Sequence, residues 1–234
     1  MRVAVLQTGE PPSELAGQFG SYSDMFEQLL QMGPLARFEV NHGKWPEIIQ
    51  DFDAYVVTGS PAGVYDPLPW IGELKTFLRA AKGQAALVGI CFGHQVMAEA
   101  FGGHVIKSPK GWGVGLQHYQ VVEPQPWMEH ATSFSIPASH QDQVILHPPQ
   151  TKVLAANPLT HFAALAYLDH PAISFQGHPE FEPAYAQALL KSRKGSHLPH
   201  EQAEAAIASL ERPNDRARVG GWIRAYLAGV SAAG

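Results

Sequence analysis

Hydrophobic and polar positions in the first hundred residues of this chain follow two alternating periods. Short apolar runs at Arg2–Gln7, Phe38–Val40 and Tyr55–Val57 read as strands, the first ending in Thr8-Gly9-Glu10-Pro11-Pro12 and the third in Thr58-Gly59-Ser60-Pro61. Between them, Met25, Phe26, Leu29 and Leu30 fall at helical spacing over Asp24–Met32, and Ile71, Leu74, Phe77 and Leu78 do the same over Trp70–Ala81. A further run, Ala85–Val88, reads as a buried strand and leads to a helical stretch at Gln95–Phe101. Strands alternating with helices predict βαβ units: an α/β fold in three layers, with a mainly parallel central sheet flanked by helices. Such sheets bind ligands beyond the carboxyl ends of their strands. Gly59 and Cys91 both lie just past such ends.

Between residues 104 and 178 the helical period disappears. Short strand-like runs recur at Leu116–Val122, Thr132–Ile136, Val144–Ile145, Lys152–Ala156, Ala163–Leu168 and Ala172–Gln176, punctuated by proline and glycine. They predict antiparallel hairpins added to the sheet. Beyond Glu180 the helical period returns over Pro183–Arg193, Glu201–Leu210 and Val219–Leu227, with Lys194–Pro199 as a loop. No Pro/Gly-rich linker divides the chain. Residues 1–190 are expected to form one domain, and residues 191–234 a helical C-terminal extension of it.

Composition narrows the function classes. With 45% hydrophobic and 16% charged residues over 234 positions, the chain can bury a full core. A net charge of −5 argues against nucleic acid as a partner. Arg212, Arg216 and Arg218 alternate with Glu211 and Asp215 and read as a solvated face. No apolar run approaches the length of a membrane span, and Met1–Leu6 is too short for a signal-peptide core. The single cysteine excludes an intrachain disulfide and suits a reducing, cytoplasmic setting.

That cysteine stands in Gly89-Ile90-Cys91-Phe92-Gly93-His94-Gln95, between a strand and a helix. The pattern is a nucleophile elbow, G-x-S-x-G with sulfur in place of oxygen. Glycines leave room in a strained turn, and the helix N-terminus favours thiolate. The same residues also suit a small buried side chain at an ordinary strand-to-helix turn. A second motif, Gln176-Gly177-His178-Pro179-Glu180, follows the apolar run ending at Phe175. In extended chain, positions i and i+2 point the same way, so Glu180 can lie beside His178 and orient its imidazole. Alone it would read as a surface turn. Beside Cys91 it supplies the base and carboxylate that a thiol nucleophile needs.

Together these two motifs resemble the class I, triad-type glutamine amidotransferases, in particular the stand-alone GMP-synthase-like branch and the related γ-glutamyl peptide hydrolases. The resemblance spans about residues 1–190 and implies a flavodoxin-like sheet. It implies Cys91 as nucleophile, His178 as general base and acid, and Glu180 as orienting carboxylate. It further implies the backbone N–H groups of Gly59 and Phe92 as an oxyanion hole, with Ser60 of the same turn as a substrate-binding residue. Gln95 matches the family position near the bound glutamine side chain. Ser139-His140-Gln141-Asp142-Gln143-Val144 resembles a segment by the glutamine pocket, placing His140 and Asp142 there as substrate-binding residues, although both also suit plain loop roles. Trp112, in Lys110–Gly115, either covers the pocket or packs against a hairpin. His94 is expected in the first helical turn, outside the chemistry. His140, His147, His161 and His178 lack metal-ligand spacing, and neither metal nor cofactor is expected.

An amidotransferase passes ammonia to a second active site, and the sequence contains neither a phosphate loop nor a Ser-Gly-Gly-x-Asp-Ser-like motif. The leading expectation is therefore a stand-alone hydrolase of glutamine or a small γ-glutamyl amide, acting through a γ-glutamyl thioester. A glutaminase subunit serving a separate synthetase or acceptor chain is the alternative. A non-catalytic regulatory module that keeps the fold is a third.

Overall fold

The computed structural model describes residues 1–233. Eleven strands and seven α-helices follow in the order β1 (Val3–Gln7), α1 (Ser13–Phe19), α2 (Tyr22–Leu30), β2 (Ala36–Glu39), β3 (Ala54–Val57), α3 (Pro69–Ala81), β4 (Ala86–Ile90), α4 (Phe92–Ala100), β5 (His104–Lys107), β6 (Gly113–Val121), β7 (Ser133–His140), β8 (Asp142–Leu146), β9 (Thr151–Ala156), β10 (Ala164–Tyr167), β11 (Ala172–Phe175), α5 (Pro183–Arg193), α6 (His200–Ser209) and α7 (Arg216–Ala233). Nine strands form one sheet in the order β2-β1-β3-β4-β11-β10-β9-β6-β7. The β2-β1-β3-β4-β11 half is parallel, and every pairing from β11 to β7 is antiparallel. The three-layer α/β fold with added hairpins is as the pattern predicts.

Burial explains the parallel half. Strands β1, β3, β4 and β11 are buried at every position, so they read as unbroken apolar runs rather than alternating ones. Alternate residues nevertheless serve opposite faces. Val5, Val56, Val88 and Ile173 meet Phe26 of α2 and Trp222 of α7 on one side. Leu6, Tyr55, Val57 and Leu87 meet Leu74 of α3 and Val96 of α4 on the other.

Three expectations change. The Val144–Ile145 run, expected as a hairpin of the main sheet, belongs to β8, which pairs with β5 in a separate two-stranded ribbon. Chain reversal at Gln141 turns β8 off the end of β7, and His104–Lys107, which carries little strand pattern, meets it there. The helix expected from Gln95 begins at Phe92, directly after Cys91. Finally, Arg212, Arg216 and Arg218 are not one solvated face. Arg216 is mostly covered, and its guanidinium bonds to the backbone of Pro179 and Glu180. Among the described residues, no helix is long and apolar enough to cross a membrane.

Candidate functional site

Parallel β3 and β4 end side by side, and their carboxyl ends deliver Gly59 and Cys91 to one place. Cys91 has φ +53° and ψ −102°, a positive φ that side chains other than glycine rarely adopt. Close packing imposes this turn. A Cβ on Gly93 would lie 2.2 Å from the Val57 carbonyl oxygen, and one on Gly89 would lie 2.6 Å from that of Gly93. The first turn of α4 is thus pressed onto β3, where the Gly93 N–H donates to Thr58 O at 3.1 Å. Cys91 N–H donates to Phe175 O at 2.9 Å, tying the elbow to β11. Among the described residues, neither Gly59 N–H nor Phe92 N–H donates to another protein group. The Gly59 carbonyl is held from behind, 3.0 Å from the Thr8 hydroxyl.

The Gln176–Glu182 segment carries the second motif. His178 N–H donates to Pro137 O of β7 at 2.7 Å, and His178 Nδ1 lies 2.7 Å from Glu180 Oε1. Both side chains are buried, with exposures of 3% and 0%. Phe181 stacks on the imidazole, with ring centroids 3.9 Å apart and planes 6° from parallel. Gly59 closes its edge: a Cβ there would sit 2.9 Å from His178 Cε1 and 3.8 Å from Cys91 Cβ. With Nδ1 engaged by Glu180, Nε2 is left for the thiol. Burial pulls the His178 pKa down, but the facing charges of Cys91 and Glu180, with hydrogen bonding, outweigh it and push it up to about 10.

Cys91 lies where two cavities meet. The larger, about 550 Å³, is bounded by Ser60, Tyr65, Gln95, His140 and Asp142, with Lys107 and Arg193 among its other walls. The smaller, about 20 Å³, lies between Cys91, Gly59, His178, Tyr22 and Arg193. Gln95 Nε2 donates to Asp142 O at 3.0 Å and to Gln176 Oε1 at 3.2 Å, linking α4, β8 and the His178 segment. Ser60 Oγ accepts from Ala62 N–H at 3.2 Å and shapes the loop along the larger cavity. Tyr65 donates its hydroxyl to Asp142 Oδ1 at 3.0 Å. Burial raises the Asp142 pKa against the lowering effects of Tyr65 and Lys107. His140 Nδ1 lies 3.2 Å from Asp142 O, and its Nε2 is buried without a partner among the described residues. Burial lowers its pKa to about 4, which keeps the ring neutral.

Every residue that the resemblance assigned to the site therefore lies at or directly behind one junction. Ser60, Cys91, Gln95, His140 and Asp142 line the larger cavity, Gly59 and His178 line the smaller, and Glu180 and the Phe92 ring sit behind. Trp112 meets its pocket-covering reading, but what it packs against is a mainly helical cluster rather than a hairpin. It walls the larger cavity under the Arg193 guanidinium, 5.8 Å from the ring centroid, and packs against the α5–α6 cluster. His94 is fully buried, with Nδ1 2.8 Å from Ser174 Oγ, and burial lowers its pKa to about 3. Sequence reasoning missed Thr8, Tyr22, Tyr65, Lys107 and Arg193. Thr8 and Arg193 each close an element that the pattern predicts, but no local period marks them as facing a site. Among the described residues, no cluster of His, Cys, Asp and Glu could hold a metal ion.

The fold is an α/β scaffold that brings a cysteine elbow and the imidazole of a buried His–Glu pair to one cavity. The family model of glutamine amidotransferase class-I matches residues 21–193, and the chain belongs to that family. It is 30% identical over 231 residues to a glutamine amidotransferase-like protein of Schizosaccharomyces pombe, covering 91% of this chain and 93% of that one. It is 27% identical over 215 residues to γ-glutamyl peptidase 4 of Arabidopsis thaliana, covering 86% and 85%. Over 132 residues it is 34% identical to one subunit of the glutamine-hydrolysing GMP synthase of Ignicoccus hospitalis, covering 56% and 69%. A crystal structure of a glutamine amidotransferase from Thermotoga maritima superposes with a TM-score of 0.76 at 17% identity, covering 98% of each chain.

Proposed function

We propose that this protein hydrolyses the γ-amide of glutamine or of a small γ-glutamyl amide, with Cys91 as nucleophile. The observation that carries the proposal is the buried His178–Glu180 pair, 2.7 Å apart, whose imidazole shares a cavity with a thiol at a strained elbow. Glu180 fixes Nδ1–H of the imidazole and stabilises its cationic form, so Nε2 takes the thiol proton. The thiolate attacks the γ-carbonyl carbon, and the developing oxyanion is met by the N–H groups of Gly59 and Phe92, which are fixed in place beforehand. His178 returns the proton to the departing nitrogen. A γ-glutamyl thioester forms as the C–N bond breaks. Water, deprotonated by His178, then releases glutamate and the thiol.

The two cavities suit the two ends of such a substrate. Lys107, Arg193, Asp66 and Asp142 place both signs of charge around the larger one, as a zwitterionic glutamyl group requires. The departing amine belongs on the His178 side. Similarity to the γ-glutamyl peptidase favours the hydrolase reading. Similarity to a GMP synthase component supports a second reading, ammonia supply to a synthetase chain.

Incubation with glutamine and with γ-glutamyl dipeptides should release ammonia or free amine. A diazo-ketone glutamine analogue should add to Cys91, as read by mass spectrometry, and fail to add in His178→Ala. A folded protein with free Cys91 that turns over neither substrate and takes no label overturns the hydrolase reading. Turnover of glutamine only when a synthetase chain is added would favour the second.

A further inference from the structure

The segment holding His178 and Glu180 has little secondary structure of its own. It leaves β11 at Phe175 and reaches α5 at Pro183, and Pro179 contributes no N–H. Buried carbonyls in such a stretch need partners from elsewhere. Those of Pro179 and Glu180 find one side chain: Arg216 Nε donates to Pro179 O at 3.0 Å, and Nη2 donates to Glu180 O at 3.2 Å. A third guanidinium nitrogen, Nη1, lies 3.7 Å from Glu182 Oε1. Arg216 thus spans the residues on either side of the Glu180 side chain. It stands in α7, beyond the segment that the family model matches.

Its own position is set by β7. Asp215 Oδ2 accepts from Ser135 N–H at 2.7 Å, and Asp215 N–H donates to Ser135 O at 2.7 Å. The same strand receives His178 N–H two residues on, at Pro137 O. One strand therefore indexes both His178 and Arg216, and Arg216 closes the loop between them. The cation also lies near the buried Glu180 carboxylate, whose Oε2 has no hydrogen-bond partner among the described residues.

We infer that Arg216 is a positioning residue for the Cys91–His178–Glu180 site. It holds the His178-Pro179-Glu180 backbone so that Glu180 meets Nδ1 and Nε2 faces the thiol. The inference rests on the functional reading above, so its test uses a readout that needs no substrate. An unpaired thiol is barely ionised at about pH 6, and alkylation of Cys91 there by iodoacetamide reports the thiolate–imidazolium pair. In Arg216→Gln this rate should fall about tenfold or more, since misplacement by about 1 Å costs on the order of a hundredfold in such sites. Arg224→Gln serves as the control. Arg224 Nη1 donates to Leu29 O at 3.0 Å from the same helix, far along the chain from the His178 segment, and its loss should leave the rate unchanged. Turnover should show kcat falling about as far, with KM within about twofold.

Arg216→Lys keeps the charge but cannot fork to two carbonyls, and its rate should lie between wild type and Arg216→Gln. Should Arg216→Gln not fold, Arg216→Lys carries the test, and a wild-type rate in it overturns the inference. Equal rates in wild type and Arg216→Gln, or an equal fall in Arg224→Gln, also overturn it. A wild-type protein with no alkylation at low pH overturns both this inference and the hydrolase reading. A reactive wild type matched by Arg216→Gln overturns this inference alone.

Discussion

Cys91 and its neighbours come from two adjacent parallel strands and the turns that follow them, while His178 and Glu180 hang on an irregular segment braced by β7 and α7. The Cys91 half is built by backbone packing so tight that two glycines are required. The His178 half is built by side chains: a ring stack, an ion pair and a guanidinium fork. Packing of the first kind is encoded within about one element. The second kind depends on residues far apart in sequence, so it has more ways to be disturbed without unfolding the chain.

Substitutions should separate the two halves. The largest effect is expected from Cys91→Ala, with turnover of glutamine or γ-glutamyl amide falling on the order of 10⁴-fold or more. Thermal unfolding should stay close to wild type, because only the sulfur is removed. Gly93→Ala, two residues away, should act in the opposite manner and destabilise by about 1–3 kcal/mol, since its Cβ would meet the Val57 carbonyl oxygen at 2.2 Å. Equal melting temperatures for Gly93→Ala and wild type would contradict the packing account.

In the His178 half, Glu180→Gln should lower kcat by roughly 10³–10⁴-fold, because the amide no longer enforces the Nδ1–H tautomer. Gly59→Ala tests the seam between the halves. Its Cβ, 2.9 Å from His178 Cε1, should displace the ring or the oxyanion donor and cost on the order of a hundredfold in kcat. Wild-type kinetics in Gly59→Ala would mean that the ring and this turn are not in register during reaction.

Buried histidines sharpen the contrast by titrating in opposite senses. His178 is raised above the ordinary histidine value, to about 10, so its contribution to stability is fully present below about pH 6.5 and is lost as pH rises toward 10. His94 and His140 are lowered by burial, to about 3 and about 4. Their contribution is present above about pH 6.5 and is lost as pH falls toward those values. Melting temperature against pH should therefore fall on both sides of neutrality. His178→Gln should flatten the alkaline limb alone, and His94→Asn should flatten part of the acid limb alone. The smallest effect is expected from Tyr65→Phe, which removes the bond to Asp142 and should raise KM by a few-fold, about 0.5–1.5 kcal/mol, with kcat unchanged.

The Cys91 half was legible in the chain because its causes are local. An apolar run long enough for one buried strand, glycines at two fixed offsets and a helical period afterwards define the Cys91 turn with no distant partner. The spacing of His178 and Glu180 likewise announced their pairing. Arg216 shows the limit: alternation with Glu211 and Asp215 has the pattern of a solvated face, and only β7 and the His178 segment turn it inward. Val144–Ile145 misled for a related reason, since strand propensity says nothing about which strand will pair with it.

What the sequence by itself determined is the parallel part of the sheet from β1 to β4, the strained position of Cys91 and the candidate partners at 178 and 180. These follow from period, glycine placement and short spacings, all acting within a few residues. The chain pattern placed β11 among the antiparallel hairpins, and only the structure pairs it in parallel with β4. Tertiary structure alone decided that His178 shares a cavity with Cys91, that Gly59 closes the edge of the imidazole, that Tyr65 and Arg193 wall the larger cavity, and that Arg216 holds the backbone behind His178. Those contacts join segments separated by tens to more than a hundred positions. They exist because burying both faces of one sheet leaves a single arrangement in which the carboxyl ends of β3, β4 and β11 open onto the same cavity.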